Sequence, residues 1–192
     1  MGFDLNAESI AVVGLGNPGQ NFKHTRHNVG FEAVDLIARS FSTECRFDKY
    51  LLSEVAQIKI KHYPVLLVKP QTFMNDSGQA VKKILSKKNI GLSSLIVVHD
   101  ELDIEPGKIK IKFGGGSAGH NGLQSIFESC KSRDFVRIRI GIGKPDRKGV
   151  DYVLSNFSKD ELPLISQAIE MTEQALLSIL DVGLDQAQNM FN

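Results

Sequence analysis

Four short strand-like runs, each followed directly by polar or glycine-rich residues, constrain the fold of this 192-residue chain more than any other feature. The runs cover residues 11–13, 65–68, 95–98 and 109–113. Runs of this kind are typical of strands, and segments with helical spacing lie between them. Strands that alternate with helices predict an α/β fold, with a twisted, mixed and mostly parallel sheet and helices on both of its faces. The length fits one domain, which we place at residues 1–192.

Turn residues and apolar spacing predict the bounds of the individual elements. The predicted strands are residues 10–14, 53–60, 64–69, 94–99, 108–113 and 135–142. The predicted helices include residues 30–40, 78–88 and 121–130. A capping box at residues 158–161 predicts one further, long helix with an apolar face from Ile165 to Ile179. The polar segment from Gly143 to Asp151 is predicted to be a surface loop or a lid over the site.

The distribution of apolar residues argues against a membrane-spanning or secreted protein. No apolar run approaches the ~20 residues of a membrane span, and residues 1–9 lack the apolar core of a signal peptide. We therefore expect a cytoplasmic protein without membrane contact. The net charge of +1 is not a global basic signature, so any contact with nucleic acid must rest on local patches.

Polar side chains follow the predicted strands at the points where those strands end. Asn17, Asn75 and Asp100 each follow a strand-like run, and Asn121 follows the run that ends in three glycines. In open α/β sheets, ligands bind outside the carboxyl ends of the strands. These side chains are therefore predicted to meet at one site, to which His27 adds a possible base.

The segment Gly14–Gly19 matches the nucleotide-binding pattern G-x-G-x-x-G, but its surroundings argue against that function. Pro18 lacks the N–H that a phosphate cradle would use. A polar stretch, residues 20–28, separates the glycines from the next helix, and no acidic strand-end residue follows about 20 residues on. We interpret the glycines as a tight turn that presents Asn17.

His27 is the candidate general base, and Asp100 could hold its tautomer and stabilise its protonated form. The alternative is that His27 is a half-buried histidine with one structural hydrogen bond. Neither a G-x-S-x-G elbow nor a reactive-cysteine signature supplies a nucleophile, so water would attack. The remaining histidines and cysteines show no metal-ligand spacing such as H-E-x-x-H, and we predict neither metal nor cofactor.

The three asparagines allow two interpretations. Asn suits turns and helix caps, which would make Asn17, Asn75 and Asn121 structural. Three amides at strand ends also suit a substrate rich in peptide and ester carbonyls, and amides can stabilise a developing oxyanion.

Alternating cations mark two of the predicted strands. Lys108, Lys110 and Lys112 share one strand face, and Arg137 and Arg139 share one face of theirs. These residues would form either a solvated sheet face or a phosphate contact site, since Lys and Arg supply most of the backbone affinity for nucleic acids.

In six ordered blocks, the chain resembles the bacterial peptidyl-tRNA hydrolase family. The blocks are residues 13–19, 25–30, 69–78 (apart from Gln71 and Asp76), 99–103, 119–123 and 137–143. The resemblance covers most of the chain. It implies a monomeric α/β fold around a twisted mixed sheet. It also implies hydrolysis of the ester between a peptide and tRNA, which releases drop-off products and recycles tRNA.

The resemblance also implies roles for the residues that match the family pattern. His27 is similar to the catalytic base and Asp100 to its partner. Asn17 is similar to the residue that separates blocked from free aminoacyl esters. Asn75 and Asn121 are similar to substrate and water contacts.

The acceptor stem and 3′ end of peptidyl-tRNA would contact a second group of matching residues. Phe73 and Met74 would line the site. Lys112 and Arg139 match the proposed clamp for the tRNA 5′-phosphate. The family usually has Tyr where this chain has Phe22, which keeps a ring to pack on the acceptor end but removes its hydroxyl.

The glycine-rich loop departs from the family pattern, because Ser117 and Ala118 precede Gly119 and Ala118 replaces a usual glycine. Relatives of this fold in plant organelles act as RNA-splicing cofactors, so binding of RNA without hydrolysis is the alternative function. The presence of His27, Asp100 and all three asparagines favours the enzyme.

Overall fold

The computed structural model describes residues 2–5, 7–144 and 150–192. These residues form a seven-stranded sheet in the order β2-β3-β4-β1-β5-β7-β6. The strands are β1 (Ile10–Gly14), β2 (Arg46–Asp48), β3 (Ser53–Ile60), β4 (Tyr63–Pro70), β5 (Leu95–Glu101), β6 (Ile109–Phe113) and β7 (Val136–Gly141). The central pairings β4-β1, β1-β5 and β5-β7 are parallel, and the outer pairings are antiparallel. The predicted α/β fold with a mixed sheet is therefore confirmed, and its parallel part is the centre of the sheet.

Helices cover both faces of the sheet, as predicted. The helices are α1 (Val29–Ser40), α2 (Ser77–Lys88), α3 (Asn121–Cys130), α4 (Val150–Val153), α5 (Leu162–Val182) and α6 (Leu184–Phe191). One core cluster joins one face of the sheet to α1, α5 and α6, and the other cluster joins the opposite face to α2 and α3. Ile96 and Val98 of β5 enter the first cluster, whereas Leu95 and Val97 enter the second. Because both faces are covered, β5 is a continuous buried run rather than an alternating one.

Six strands and four helices lie where the sequence predicts them, and three short elements do not appear in that prediction. β2 is a three-residue edge strand without an apolar run, so it leaves no local signal. α4 and α6 are also short, and packing rather than propensity stabilises short helices. The capping box forms between Ser158 and Glu161, and α5 begins just after it, at Leu162.

Close contact between β1 and α1 places the catalytic candidates side by side. A Cβ at Gly30 would lie 2.5 Å from both the Leu15 nitrogen and the Val98 oxygen. Only glycine permits this approach. It brings the start of α1, and with it His27, against the end of β5, where Asp100 lies.

Two further predictions concern other parts of the chain. No helix in the described ranges is long and apolar enough to cross a membrane. Residues 145–149, which form most of the predicted loop or lid, lie outside the described residues.

Candidate active site

A cleft of about 490 Å³ opens at the carboxyl ends of the parallel strands. Eight of the ten residues that the sequence predicts for the site line it: Asn17, Phe22, His27, Phe73, Met74, Asn75, Asp100 and Asn121. The other lining residues are Glu101, Leu102, Ser117, Ala118, Gly119, His120, Val153 and Leu154. The sheet edge therefore gathers side chains from loops that are far apart in the sequence.

His27 lies in a 3₁₀ turn, Arg26–Asn28, directly before α1, and only 8% of it is exposed. Its Nδ1 lies 2.8 Å from Oδ1 of Asp100. Because an ionised carboxylate only accepts hydrogen bonds, Nδ1 must carry the proton and donate it. Within the described residues Nε2 has no hydrogen-bond partner, so the unprotonated nitrogen is the one available to a water in the cleft.

Asp100 accepts a second hydrogen bond, from His120, on the same Oδ1 at 3.0 Å. The Nδ1 of His120 accepts from the backbone nitrogens of Gly122 and Leu123, at 3.1 and 3.4 Å, so the proton of this ring must be on Nε2. Burial alone would raise the pKa of Asp100, but His120 and His27 outweigh it and hold the pKa well below its usual range. Asp100 is therefore a carboxylate at any ordinary pH.

His27, Asp100 and His120 are also the one group in the described ranges whose His and carboxylate atoms could hold a metal ion. The three ligand atoms lie within 4.8 Å of one another. Both ring nitrogens, however, stand at hydrogen-bond distance from a single carboxylate oxygen. Two imidazole N–H groups and one carboxylate satisfy one another, so this donor set is complete as a proton network.

His99 contacts both Asp100 and His120 of this network. It is 1% exposed, its Nδ1 donates to the Asp100 carbonyl at 2.7 Å, and its ring meets His120 edge-on at 5.0 Å. Burial, followed by the nearby His120, lowers the pKa of His99 well below its usual value, so His99 stays neutral. Its Nε2 is buried without a partner among the described residues.

The side chain of Asn17 has a fixed orientation. Its Oδ1 accepts from the Met74 nitrogen at 2.8 Å. Its backbone nitrogen and oxygen pair with the side chain of Asn28, at 2.9 and 3.0 Å. Since the oxygen is engaged, the Nδ2 donor of Asn17 has no partner in the described part of the chain and can serve a ligand in the cleft.

Aromatic and amide side chains form the mouth of the cleft. Phe22 and Phe73 meet edge-to-face with ring centroids 6.4 Å apart, and Phe73 remains 60% exposed. Met74 is buried, whereas Asn75 and Asn121 are exposed. Asn121 is the first residue of α3, where backbone N–H groups and the helix dipole favour negative charge.

Comparison with known proteins identifies the family. The family model described as peptidyl-tRNA hydrolase matches residues 11–192. The chain belongs to the peptidyl-tRNA hydrolase family. The peptidyl-tRNA hydrolase of Syntrophomonas wolfei is 45% identical over 181 residues, 94% of this chain and 98% of the relative. That of Persephonella marina is 44% identical over 184 residues, 95% of this chain and 96% of the relative. A crystal structure of peptidyl-tRNA hydrolase from Acinetobacter baumannii matches with a TM-score of 0.91 and 35% identity, covering 96% of this chain and 95% of that one.

Ala118, which the sequence resemblance suggests is a departure from the family pattern, has an unusual backbone conformation. Ala118 adopts a left-handed backbone conformation with φ at 49°. Glycine enters this region without penalty, whereas a residue with a Cβ loses about 1–2 kcal/mol there. Glycine would therefore suit this position better than the alanine of this chain.

Lys112 and Arg139, the remaining two predicted residues, lie outside the cleft. They are diagonal neighbours, because the register of β6 and β7 places Lys112 opposite Arg137 and Arg139 opposite Lys110. Arg139 is engaged with Glu101, since its Nε and Nη2 lie 3.0 and 2.9 Å from Glu101 Oε2.

The cationic side chains of β6 and β7, predicted to form either a solvated sheet face or a phosphate contact site, differ in their surroundings. Lys110 and Lys112 are exposed. Arg137 is buried and donates to the carbonyl oxygens of Gly114 and Gly116, so it holds the glycine loop. Within the described residues, Lys112 has no ion-pair or hydrogen-bond partner.

Sequence reasoning missed several residues that shape the site. His120 and Asn28 both belong to blocks that carry the family resemblance, but without the fold nothing connects them to Asp100 or Asn17. Val153 and Leu154 carry no local signal, because they reach the cleft from the end of a four-residue helix, α4, that the sequence does not predict.

Proposed function

We propose that the protein hydrolyses the ester that links an N-blocked peptide to tRNA, using a water activated by His27. The observation that carries this proposal is the buried His27–Asp100 pair, whose unprotonated Nε2 faces a cleft lined by amide donors. Family membership supports the substrate class, because the curated relatives are named peptidyl-tRNA hydrolases.

The proton transfers follow from the tautomer of His27. Nε2 takes a proton from water as the oxygen attacks the ester carbon, and the imidazolium that forms is stabilised by Asp100. The tetrahedral intermediate then collapses. The ester C–O bond breaks, and the ribose hydroxyl leaves with the proton that His27 returns. The products are a free peptide carboxylate and a tRNA with an intact 3′ end.

Negative charge develops on the carbonyl oxygen during this reaction. The Nδ2 donor of Asn17 and the side-chain amides of Asn75 and Asn121 are the groups available to stabilise it, and the dipole of α3 adds a favourable field. Each step in this mechanism uses protons and hydrogen bonds of the chain, so we propose a reaction that needs no metal.

Selection of the blocked substrate is assigned to Asn17. A free aminoacyl ester carries an ammonium group, whereas the blocked ester carries an amide N–H and a carbonyl. The free Nδ2 donor suits a peptide carbonyl and meets an ammonium unfavourably. A polar site left unpaired by the wrong substrate rejects that substrate.

Recognition of tRNA is assigned to its acceptor stem and 3′ end. Lys112 and Arg139 would bind the 5′-phosphate, and Phe22 and Phe73 would pack on the bases of the 3′ end. On the family resemblance, we further propose a cytoplasmic monomer that recycles tRNA from peptides lost during translation.

The decisive experiment measures release of free tRNA from N-acetylaminoacyl-tRNA by purified protein, with and without excess EDTA. We expect turnover by the wild type in both conditions and a rate about 10²–10⁴-fold lower for His27→Ala. Loss of turnover in EDTA would overturn the metal-independent mechanism. Tight binding of tRNA without hydrolysis by the wild type would favour the RNA-binding alternative instead.

A further inference from the structure

Arg26, the residue before His27, makes contacts that neither the proposed chemistry nor tRNA binding uses. Its side chain is 8% exposed. Nη1 donates to Ser155 Oγ at 2.7 Å and to the Asn156 carbonyl at 2.6 Å. Nη2 lies 2.9 and 2.7 Å from the two carboxylate oxygens of Glu161.

Two aromatic rings also lie against the Arg26 guanidinium. The guanidinium carbon lies 4.3 Å from the centroid of the Tyr152 ring and 4.9 Å from that of Phe157. Contact of one guanidinium with two rings, together with a forked set of hydrogen bonds, is a combination that arginine makes and lysine does not. Arg26 therefore binds the whole segment 152–161 from one buried point.

That segment carries a part of the cleft. Val153 and Leu154, which we call the 153–154 wall, line the cleft that contains His27. Val153 is the last residue of α4 and Leu154 follows it; this helix has four residues and is too short to be stable without outside support. Apart from the Arg26 side chain, few described hydrogen bonds hold the neighbouring residues. Tyr152 donates to the Ile142 carbonyl at 2.6 Å, the Arg26 backbone nitrogen donates to the Ser155 carbonyl at 3.0 Å, and an isolated β-bridge joins Thr25 to Asn156.

His27, by contrast, is held without the Arg26 side chain. Asp100 fixes its ring, and its turn is closed by bonds from Asn28 and Thr25, at 2.9 Å to the Thr25 carbonyl and 2.8 Å to the Phe22 carbonyl. Loss of the guanidinium should therefore displace the wall and leave the base in place.

We propose that Arg26 is a positioning residue that sets the distance between the 153–154 wall and His27, and so determines how tightly the cleft holds its substrate. This inference rests on the proposed hydrolysis for its functional part. Its structural part, the coupling of Arg26 to segment 152–157, is independent of any activity.

The first test uses Arg26→Lys without substrate. The amide hydrogen-exchange rates of residues 152–157 should rise by about tenfold to a hundredfold, because the charge-assisted hydrogen bonds that hold this segment closed are lost. Exchange of the Asn28 amide, which donates to the Thr25 carbonyl outside that segment, should not change. Arg39→Lys is the matched control, since Arg39 is exposed at the end of α1. Unchanged exchange of residues 152–157 in Arg26→Lys would overturn the proposal, whatever the activity.

The second test measures kcat and KM on N-acetylaminoacyl-tRNA. In Arg26→Lys, KM should rise by about tenfold, the scale of one apolar side-chain contact, with kcat nearly constant. Leu154→Ala alone should raise KM similarly, and the double variant should be no worse than the more affected single one. A fall in kcat with KM unchanged, or fully additive effects, would contradict action through the wall.

A third variant separates misfolding from mispositioning. In the wild type, the Ser158 backbone nitrogen donates a hydrogen bond to Glu161 Oε2 at 2.7 Å. Glu161→Gln keeps an oxygen that can accept this bond but loses the negative charge that faces Arg26. It should reproduce the exchange and KM effects in weaker form, even if Arg26→Lys does not fold. Absence of both effects in this variant would count against the proposal. If the wild type proves inactive, the proposed function fails, but the exchange experiment still decides the role of Arg26.

Discussion

Asn17→Asp is the substitution that most directly tests how the cleft would separate blocked from free esters. The exchange is nearly isosteric. One carboxylate oxygen replaces Oδ1 and can still accept from the Met74 nitrogen, a bond of 2.8 Å in the structure. The other oxygen replaces the Nδ2 donor. The turn therefore keeps its anchor, while the group offered to the substrate changes from a donor to a negative acceptor.

The magnitude follows from two opposite changes. The blocked substrate loses one hydrogen bond, about 0.5–1.5 kcal/mol, and the free aminoacyl ester gains a charge-assisted one, about 1.5–3 kcal/mol. Because Asn17 is 7% exposed, solvent weakens neither contribution much. The sum of about 2–4.5 kcal/mol predicts that the preference for the blocked substrate falls by about 30-fold or more.

The assay compares kcat/KM on N-acetylaminoacyl-tRNA and aminoacyl-tRNA for the wild type and Asn17→Asp. Any effect of the new charge on His27 acts on both substrates and cancels in the ratio. Asn75→Asp is the matched control, since it adds the same charge to the same cleft at an exposed position. A ratio that stays constant while both rates fall together, or an equal change in Asn75→Asp, would refute discrimination by Asn17.

Three further predictions concern the base, the phosphate contact and acid stability. His27→Ala should lower kcat by about 10²–10⁴-fold, since no other described group replaces Nε2, and should still fold, since Asp100 keeps its bond from His120; a variant that keeps a tenth of the rate contradicts the assignment. Lys112→Ala and Arg139→Gln should raise KM with kcat held, and the rise should shrink in high salt; kcat and KM measured at two salt concentrations check this. Burial holds the pKa of His99 far below that of the unfolded chain, so the unfolded state binds the extra proton and stability falls as pH drops below about 6.5. His99→Leu should remove up to about 1.4 kcal/mol per pH unit of this slope in urea titrations, whereas His62→Gln, at an exposed position, should leave the slope intact.

The period and composition of the sequence were enough to predict the fold. Buried strands between covered faces are continuous runs of Val, Ile and Leu, and helices on a sheet show one apolar stripe. Both signals are local, so β1, β5, α1 and α5 lie where the sequence places them. The rule that ligands bind beyond the carboxyl ends of parallel strands then brings Asn17, His27 and Asp100 to one edge of the sheet.

Pairing across the sheet was not predictable to the same degree. Alternation shows which residues of β6 share a face with Lys112 and which residues of β7 share a face with Arg139. Only the register between the two strands shows that Lys112 lies opposite Arg137. Register depends on the long-range packing of each strand rather than on its own sequence. The ion pair between Arg139 and Glu101 was not predictable either. It connects a residue of the predicted phosphate contact to a residue that lines the cleft.

The sequence by itself determined which polar residues follow the strands and therefore which of them lie at the carboxyl edge of the sheet. The tertiary structure decided which atoms share a partner. Oδ1 of Asp100 binds two imidazoles, one from a residue 73 positions earlier and one from a residue 20 positions later. Hydrogen bonds act only within about 3 Å, so their partners are set by the strand order and by the glycine contact that lets α1 approach β1 and β5. Local periodicity predicts neither the strand order nor this contact, so the place of His120 beside Asp100 became visible only in the folded chain.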